Sequence, residues 1–110
     1  MADFPLTTVM STALEASKVL KTSAGNLYKL SVFNSGGAQF ILIMDAAALP
    51  SNGAVTLLYP PIPIAAAGSL FLELRSPIKS TKGIVVANSS TGTFSLTIGG
   101  TDCAFHAQIQ

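Results

Sequence analysis

Hydrophobic and polar residues alternate along much of this chain with the period of two that is typical of β-strands. The clearest case is near the C-terminus, where Phe105 and Ile109 share the inward face. One strand earlier, Phe94 and Leu96 are predicted to point inward in the same way. We predict that Leu96 and Leu42 are fully buried. The predicted strands span residues 18–21, 27–33, 39–44, 54–59, 69–75, 83–87, 93–98 and 103–110.

Residues 26–45 form the segment around which the predicted fold is organised. They contain two strands joined by a turn with Gly36 and Gly37, which we interpret as a hairpin. The second strand is apolar at every position from residue 40 to 44, whereas a half-buried strand would alternate. Both of its faces therefore need a cover. Two explanations remain open: the second face is covered by another subunit or by a loop of the same chain.

Turn-forming residues recur about every 8–12 positions, as in sandwiches and barrels of short strands. Pro60, Pro61 and Pro63 restrict their segment to a sheet edge or a crossing between sheets, because proline lacks an N–H. We predict an all-β protein, an antiparallel, jelly-roll-like β-sandwich of seven or eight short strands. Residues 18–110 form its single domain, and residues 1–17 form an N-terminal arm or edge strand. If they form an arm, deletion of residues 2–14 would leave a folded domain.

The composition predicts a large uncharged surface. Hydrophobic residues make up 49% of the chain, but only 10% of residues are charged, against roughly 25% in typical proteins. Such a surface favours self-association or docking on a larger assembly. The net charge of +1 and the scattered basic residues argue against a nucleic-acid partner. No apolar run approaches the ~20 residues that span a membrane, so no membrane partner is expected.

The single cysteine, Cys103, excludes a disulfide within the chain and gives no support for an oxidising compartment. Asp3 and Pro5 stand where a signal peptide would have its basic region, and no long apolar region follows them. We therefore expect a chain that is made in a cytoplasm and stays soluble there.

The residues that could carry chemistry do not form a recognisable motif. His106 is the only histidine, and its spacing from Cys103 places the two on opposite faces of a strand, so they cannot bind a metal together. The acidic residues have no paired spacing of the kind that acid–base catalysis uses. We predict a protein that is not an enzyme and has no catalytic residue, cofactor or metal. Asp45 has a structural role instead, accepting backbone N–H groups in the turn that follows its strand.

The candidate interface residues are apolar side chains at positions where a partner could cover them. The N-terminal segment is too apolar for a free solvated tail, and Tyr59 and Phe71 are the aromatic residues expected to face outward. Exposed aromatic rings also suit sugar binding, which makes a carbohydrate-binding module an alternative. The candidate interface residues are Phe4, Leu6, Val9, Met10, Ile41, Ile43, Tyr59 and Phe71.

Three runs in the sequence are AGNLYKLSVFNSGG, DAAALPSNGAV and GIVVANSSTGTF. In this order they resemble a family of small virion proteins from tailed bacteriophages, with the motifs G-x-L-Y, Asp-Ala, P-x-x-G-A-V and G-I-V-V-x-x-S-x-T-G. The resemblance covers residues 17–110, and its residues lie in predicted turns and core positions. The matching residues are Gly25, Leu27, Tyr28, Asp45, Ala46, Pro50, Gly53, Ala54, Val55, Gly83, Ile84, Val85, Val86, Ser89, Thr91 and Gly92.

The resemblance implies a non-enzymatic structural protein of a virus particle, made in the host cytoplasm and located in the virion. The role it implies first is that of a capsid decoration, or cement, protein that binds the major capsid protein or another virion protein as a homo-oligomer, with a trimer favoured. A tail, fibre or baseplate-associated module is the alternative within the same class. The carbohydrate-binding module is the alternative from a different class.

Overall fold

The strands account for most of the regular structure in the computed structural model, which describes residues 6–110. Among these residues there is no helix that is long and apolar enough to cross a membrane. The strands are β1 (Thr7–Met10), β2 (Ser17–Lys21), β3 (Asn26–Asn34), β4 (Gln39–Met44), β5 (Gly53–Ala54), β6 (Ile62–Ile64), β7 (Ser69–Lys79), β8 (Ile84–Ser89), β9 (Ser95–Leu96) and β10 (Cys103–Ile109).

Two antiparallel four-stranded sheets pack face to face as a β-sandwich, which confirms the predicted fold class. The front sheet has the strand order β1-β10-β3-β7, and the back sheet has the order β2-β8-β4-β6. Nearly every connection carries the chain from one sheet to the other, which is the jelly-roll order. The short strands β5 and β9 pair with each other as a separate two-stranded ribbon.

The segment predicted as a hairpin is a crossing between the two sheets, because β3 belongs to the front sheet and β4 to the back sheet. The side chain of Asn34, at the end of β3, organises this crossing. Its amide donates to the carbonyl oxygens of Gly37 (2.8 Å) and Ala65 (3.0 Å), and its Oδ1 accepts the N–H of Gly36 (3.0 Å). These hydrogen bonds turn the chain away from its own sheet, and the sequence pattern alone did not reveal this.

The apolar strand β4 is covered on both faces by its own chain. Ile41 and Ile43 lie in the core between the sheets, with exposed fractions of 0% and 1%. Leu42 and Met44 face the other way and are also fully buried. The residues that pack around them come from β4 itself, β8, the ribbon and the neighbouring loops: Phe40, Val85, Ala87, Leu96, Ala46, Val55, Leu57 and Ile98. Of the two explanations left open, cover by the same chain is therefore the correct one.

The described part of the N-terminal segment belongs to the sandwich. β1 is an edge strand of the front sheet and pairs antiparallel with β10 of the same chain. Val9 packs on the core, and the Ser11 N–H donates to the carbonyl oxygen of Phe105 (2.8 Å). The Ser11 hydroxyl accepts the N–H of Phe105 at 3.0 Å. The strand β1 and Ser11 are therefore an integral edge of this sheet and not an arm reaching a neighbour.

Several predicted strand limits are wrong. β7 continues through residues 76–79, which were predicted to be a loop, because Ile78 pairs with Leu27 and packs on the core. The predicted strands 54–59 and 93–98 are reduced to the short ribbon strands. Phe94 is 67% exposed instead of buried, since the ribbon is too short for a regular alternation to persist.

A buried polar network closes one end of the sandwich. The Asn34 Oδ1 accepts a hydrogen bond from Gln39 Nε2 (2.8 Å), and Gln39 Oε1 accepts one from Asn88 Nδ2 (2.8 Å). Asn88 Nδ2 also donates to the carbonyl oxygen of Gly100 at 3.0 Å. Asn34 and Asn88 are fully buried, so these bonds offset part of the cost of removing the amides from water. Among the described residues, the Asn88 Oδ1 has no hydrogen-bond partner. The network joins the ends of β3, β4 and β8 to the loop before β10.

Asp45 links the end of β4 to the loop before β8, although not to the turn that the sequence predicted. Its Oδ1 accepts the N–H of Lys82 (2.8 Å), and its Oδ2 accepts the hydroxyl of Thr81 (2.7 Å). Gly83 lies so close that an added Cβ would overlap the carbonyl oxygens of Ala46 and Lys21. Partial burial raises the pKa of Asp45, but the hydrogen bonds from Lys82, Thr81 and Gly83 outweigh this effect and lower the pKa below its ordinary value.

We expect Asp45→Asn to lower the free energy of unfolding by about 1 kcal/mol at pH 7, because solvent partly screens this surface site. In the unmutated protein the lowered pKa stabilises the fold fully above the ordinary carboxyl pKa of about 4. This stabilisation is lost as the pH falls through the folded-state pKa. Urea unfolding at pH 7 and pH 3 measures both effects. The difference in the free energy of unfolding between Asp45→Asn and the unmutated protein should be smaller at pH 3 than at pH 7. An equal difference at both pH values would contradict the proposed role.

Candidate docking surface

The two outer faces of the sandwich differ in how they are covered. The back sheet carries the ribbon and its loops over Leu42, Met44 and Val85, as described above. The front sheet has no such cover from the described residues, and several large apolar side chains on it are exposed. This outer face of the front sheet is the candidate functional surface.

A groove of about 300 Å³ crosses this face. Its first row of cross-strand neighbours runs from Met10 through His106 and Ser31 to Phe71, and it includes one residue from each strand of the sheet. A second row places Ala104, Phe33 and Ser69 side by side. We call this region the outer groove and define it by Met10, Ser31, Phe33, Ser69, Phe71 and His106.

The apolar side chains of the outer groove are exposed to an unusual degree. Met10 is 56% exposed, Phe33 46% and Phe71 66%. Since each such side chain has an area of about 150–250 Å², the three together expose roughly 300 Å². A standard interface covers about 800 Å² per partner. The groove is therefore large enough for the central anchors of an interface but needs a polar rim to complete it.

The rim of the outer groove is polar and close to neutral in charge. In the row beyond Ser31 and His106, Lys29 and Glu73 form an ion pair at 3.2 Å. Gln108 lies beside Lys29 in the same row. Among residues 6–110, His106 is the only titratable side chain that lines the groove itself. A partner surface without strong charge fits this arrangement best.

His106 and Ser31 are cross-strand neighbours, but no hydrogen bond joins them among the described residues. A serine nucleophile needs a base within hydrogen-bond distance and a further group to orient that base. Cys103 is buried on the opposite face of β10, and burial, with a smaller contribution from Asp102, raises the pKa of its thiol to about 11. In residues 6–110, no three His, Cys, Asp or Glu side chains are close enough to hold a metal ion.

The predicted interface residues have different positions in the structure. Met10 and Phe71 lie in the outer groove. The prediction for Ile41 and Ile43 is wrong, because both are buried in the core of their own chain. The remaining predicted residues lie elsewhere: Val9 and Tyr59 are partly buried against the core, Leu6 is exposed just before β1, and Phe4 lies outside the described residues.

Sequence reasoning missed Phe33 as a surface residue and His106 as a neighbour of Met10. The signal for Phe33 was present, because it has the same strand parity as Ser31 and the opposite parity to Leu30 and Val32. The pairing of His106 with Met10 had no such signal, since it depends on how β1 is placed beside β10.

The motifs that resemble phage virion proteins lie mainly in the back sheet and the turns, away from the outer groove. Gly83 lies against the carbonyl oxygens of Ala46 and Lys21, and Asp45 accepts the N–H of Lys82. Such residues specify a fold more than a binding partner. Comparison of the chain with protein-family models, with curated proteins and with solved structures found no match.

Proposed function

We propose that the protein is a non-enzymatic structural component of a bacteriophage particle, and that it docks on the capsid through the outer groove. The observation that carries this proposal is the asymmetry of the sandwich: one outer face is covered by the chain itself, and the other exposes Met10, Phe33 and Phe71. A protein with so few charges gains from covering such a face. The major capsid protein, or another virion protein, is the proposed partner.

The chemistry of the groove indicates what the partner presents. An uncharged loop or strand with one apolar side chain would fill the space between Phe33 and Phe71. Its backbone could bond to the hydroxyl groups of Ser31 and Ser69 at the same time. The jelly-roll order supports the proposal only by analogy, since viral capsid proteins and lectins both use it.

Substitution of Phe71 tests the proposal. We expect Phe71→Ser to weaken binding to particles at least tenfold, because it removes a central aromatic anchor. The matched control is Phe94→Ser, since Phe94 is equally exposed (67% against 66%) but lies just before the ribbon strand β9 on the opposite side. Co-sedimentation with particles of the phage that encodes the chain measures both. Equal binding by the two variants would contradict docking through the groove.

A tail, fibre or baseplate-associated role uses the same surface with a different partner. A cryo-EM map of the intact particle separates the two roles by the position of the jelly-roll density. Density on the capsid shell supports decoration, whereas density confined to the tail replaces it with the tail role.

Carbohydrate binding is the second candidate function, and one observation favours it. The outer groove combines two aromatic rings with the hydroxyl groups of Ser31 and Ser69, which is the mixture that sugar rings require. A glycan array with the unmutated protein and with Phe71→Ser tests it. Specific binding that Phe71→Ser abolishes would support the glycan function over capsid docking.

A further inference from the structure

The edge strands of the two main sheets differ in how they are protected against pairing with another chain. Charged residues and prolines on an edge normally prevent such pairing. β1 and its flanks, from Leu6 to Leu14, contain neither a charged residue nor a proline. The other edge strands of the two main sheets carry one or both: Lys18 and Lys21 on β2, Pro63 on β6, and Glu73, Arg75, Pro77 and Lys79 on β7.

The hydrogen bonds of β1 show which of its backbone groups face β10 and which have no partner among residues 6–110. Ser11 lies opposite Phe105 and donates its N–H to the Phe105 carbonyl oxygen (2.8 Å). In an antiparallel pair, the residues that bond to the neighbouring strand alternate along the chain. Thr7 and Val9 therefore face β10, and the N–H and C=O groups of Thr8 and Met10 point away from the sheet.

We propose that a second copy of this chain pairs antiparallel with β1, with a two-fold axis at Val9. In this register, the N–H and C=O of Thr8 bond to those of the partner subunit's Met10, and Met10 bonds in the same way to the partner subunit's Thr8. The side-chain faces also match, because Thr8 and Met10 are both on the outer face, beside Gln108 and His106. β1 is thus complementary to itself in hydrogen bonding, in side-chain direction and in the absence of charge.

This pairing joins two four-stranded front sheets into one continuous sheet. The two-fold axis is perpendicular to that sheet, so both outer grooves open on the same side, with their Met10 residues near the centre. The protein is then a dimer instead of the trimer that the resemblance to phage proteins implies. The inference concerns the purified protein alone and does not depend on capsid docking.

Disulfide cross-linking tests the register. Val9 would face the partner subunit's Val9 at a non-hydrogen-bonded position, with Cα atoms about 4.5 Å apart, which a disulfide can span. Val9→Cys should therefore form a cross-linked dimer under mild oxidation. Thr7→Cys is the matched control, because the two Thr7 residues would be about 13 Å apart along the strands. The native Cys103 is buried and should not react. Failure of Val9→Cys to cross-link, or equal cross-linking of both variants, overturns the register.

Proline substitution tests whether the outer edge of β1 pairs with a second copy of the chain. Thr8→Pro removes an N–H that points away from β10, so the fold should remain while dimerisation weakens at least tenfold. Thr7→Pro removes an N–H that faces β10 within the sheet, so it should lower the stability of the fold instead. Sedimentation velocity at micromolar concentration measures the dimer, and circular dichroism measures the fold. The proposal is overturned if the unmutated protein sediments as a monomer, or if the Thr8→Pro variant dimerises normally. An unmutated protein that forms the dimer but does not bind particles would count against the proposed function alone.

Discussion

Deletion of residues 2–14 is expected to unfold the domain, which reverses the expectation from the sequence. The deletion removes β1 and exposes the edge of β10, including the N–H of Phe105 that now bonds to Ser11. It also removes Val9 from the core. At about 1 kcal/mol per hydrogen bond, plus the lost apolar burial, the cost is roughly 5 kcal/mol. Typical domains have only about 5–15 kcal/mol in total.

Thermal unfolding followed by circular dichroism measures this effect. The truncated protein should lose its cooperative transition, or show it at a much lower temperature. Point variants give the control: Val9→Asp places a charge against the core, whereas Thr8→Asp places one on the outer face. We expect the first to unfold the domain and the second to leave the transition in place. A truncated protein that melts like the full chain would show that β1 is dispensable to the fold.

Truncation of Leu42 or Leu96 to alanine is expected to lower the free energy of unfolding by about 2–5 kcal/mol each. Leu42 is 0% exposed and Leu96 1%, and they pack in the same cluster on the outer side of the back sheet. Each truncation removes apolar contacts and leaves a cavity that rigid strands on both sides fill poorly. The expected loss is a large part of the free energy of unfolding of a domain of this size.

The matched control for Leu96→Ala is Phe94→Ala. Phe94 precedes Leu96 by two residues and was predicted to be buried with it, but it is 67% exposed. Its truncation should change the free energy of unfolding by less than about 0.5 kcal/mol. Urea denaturation of the variants gives the comparison. If Leu96→Ala and Phe94→Ala have equal effects, the ribbon does not cover the back sheet as described.

The strand β10 shows what could be predicted without the structure. Its alternation places Cys103, Phe105, Ala107 and Ile109 inward, and all four are buried. The prediction succeeded because a strand of regular pleat, with one face in the core, expresses its environment in its own residues. The β-sandwich class followed from several such segments and the turns between them.

The strand β4 shows where the same reasoning ends. Its unbroken apolar run correctly indicated that both faces are covered, but a covered face leaves the same pattern whether the cover is a loop or another subunit. Ile41 and Ile43 were therefore predicted to lie in an interface, although they face the core. The covering residues Val55 and Ile98 are distant in sequence and lie in segments with little regular structure.

The chain's own pattern of residues thus determined the β-sandwich class, the inward face of β10, the burial of Leu42 and Leu96, and the shortage of charge on the surface. Only the tertiary structure decided which strands are neighbours. The outer groove depends on that decision, because Met10, Phe33, Phe71 and His106 come from four different strands. Alternation assigns each side chain to a face of its own strand, whereas strand order and register, which bring such side chains together, are set by packing across the whole sandwich.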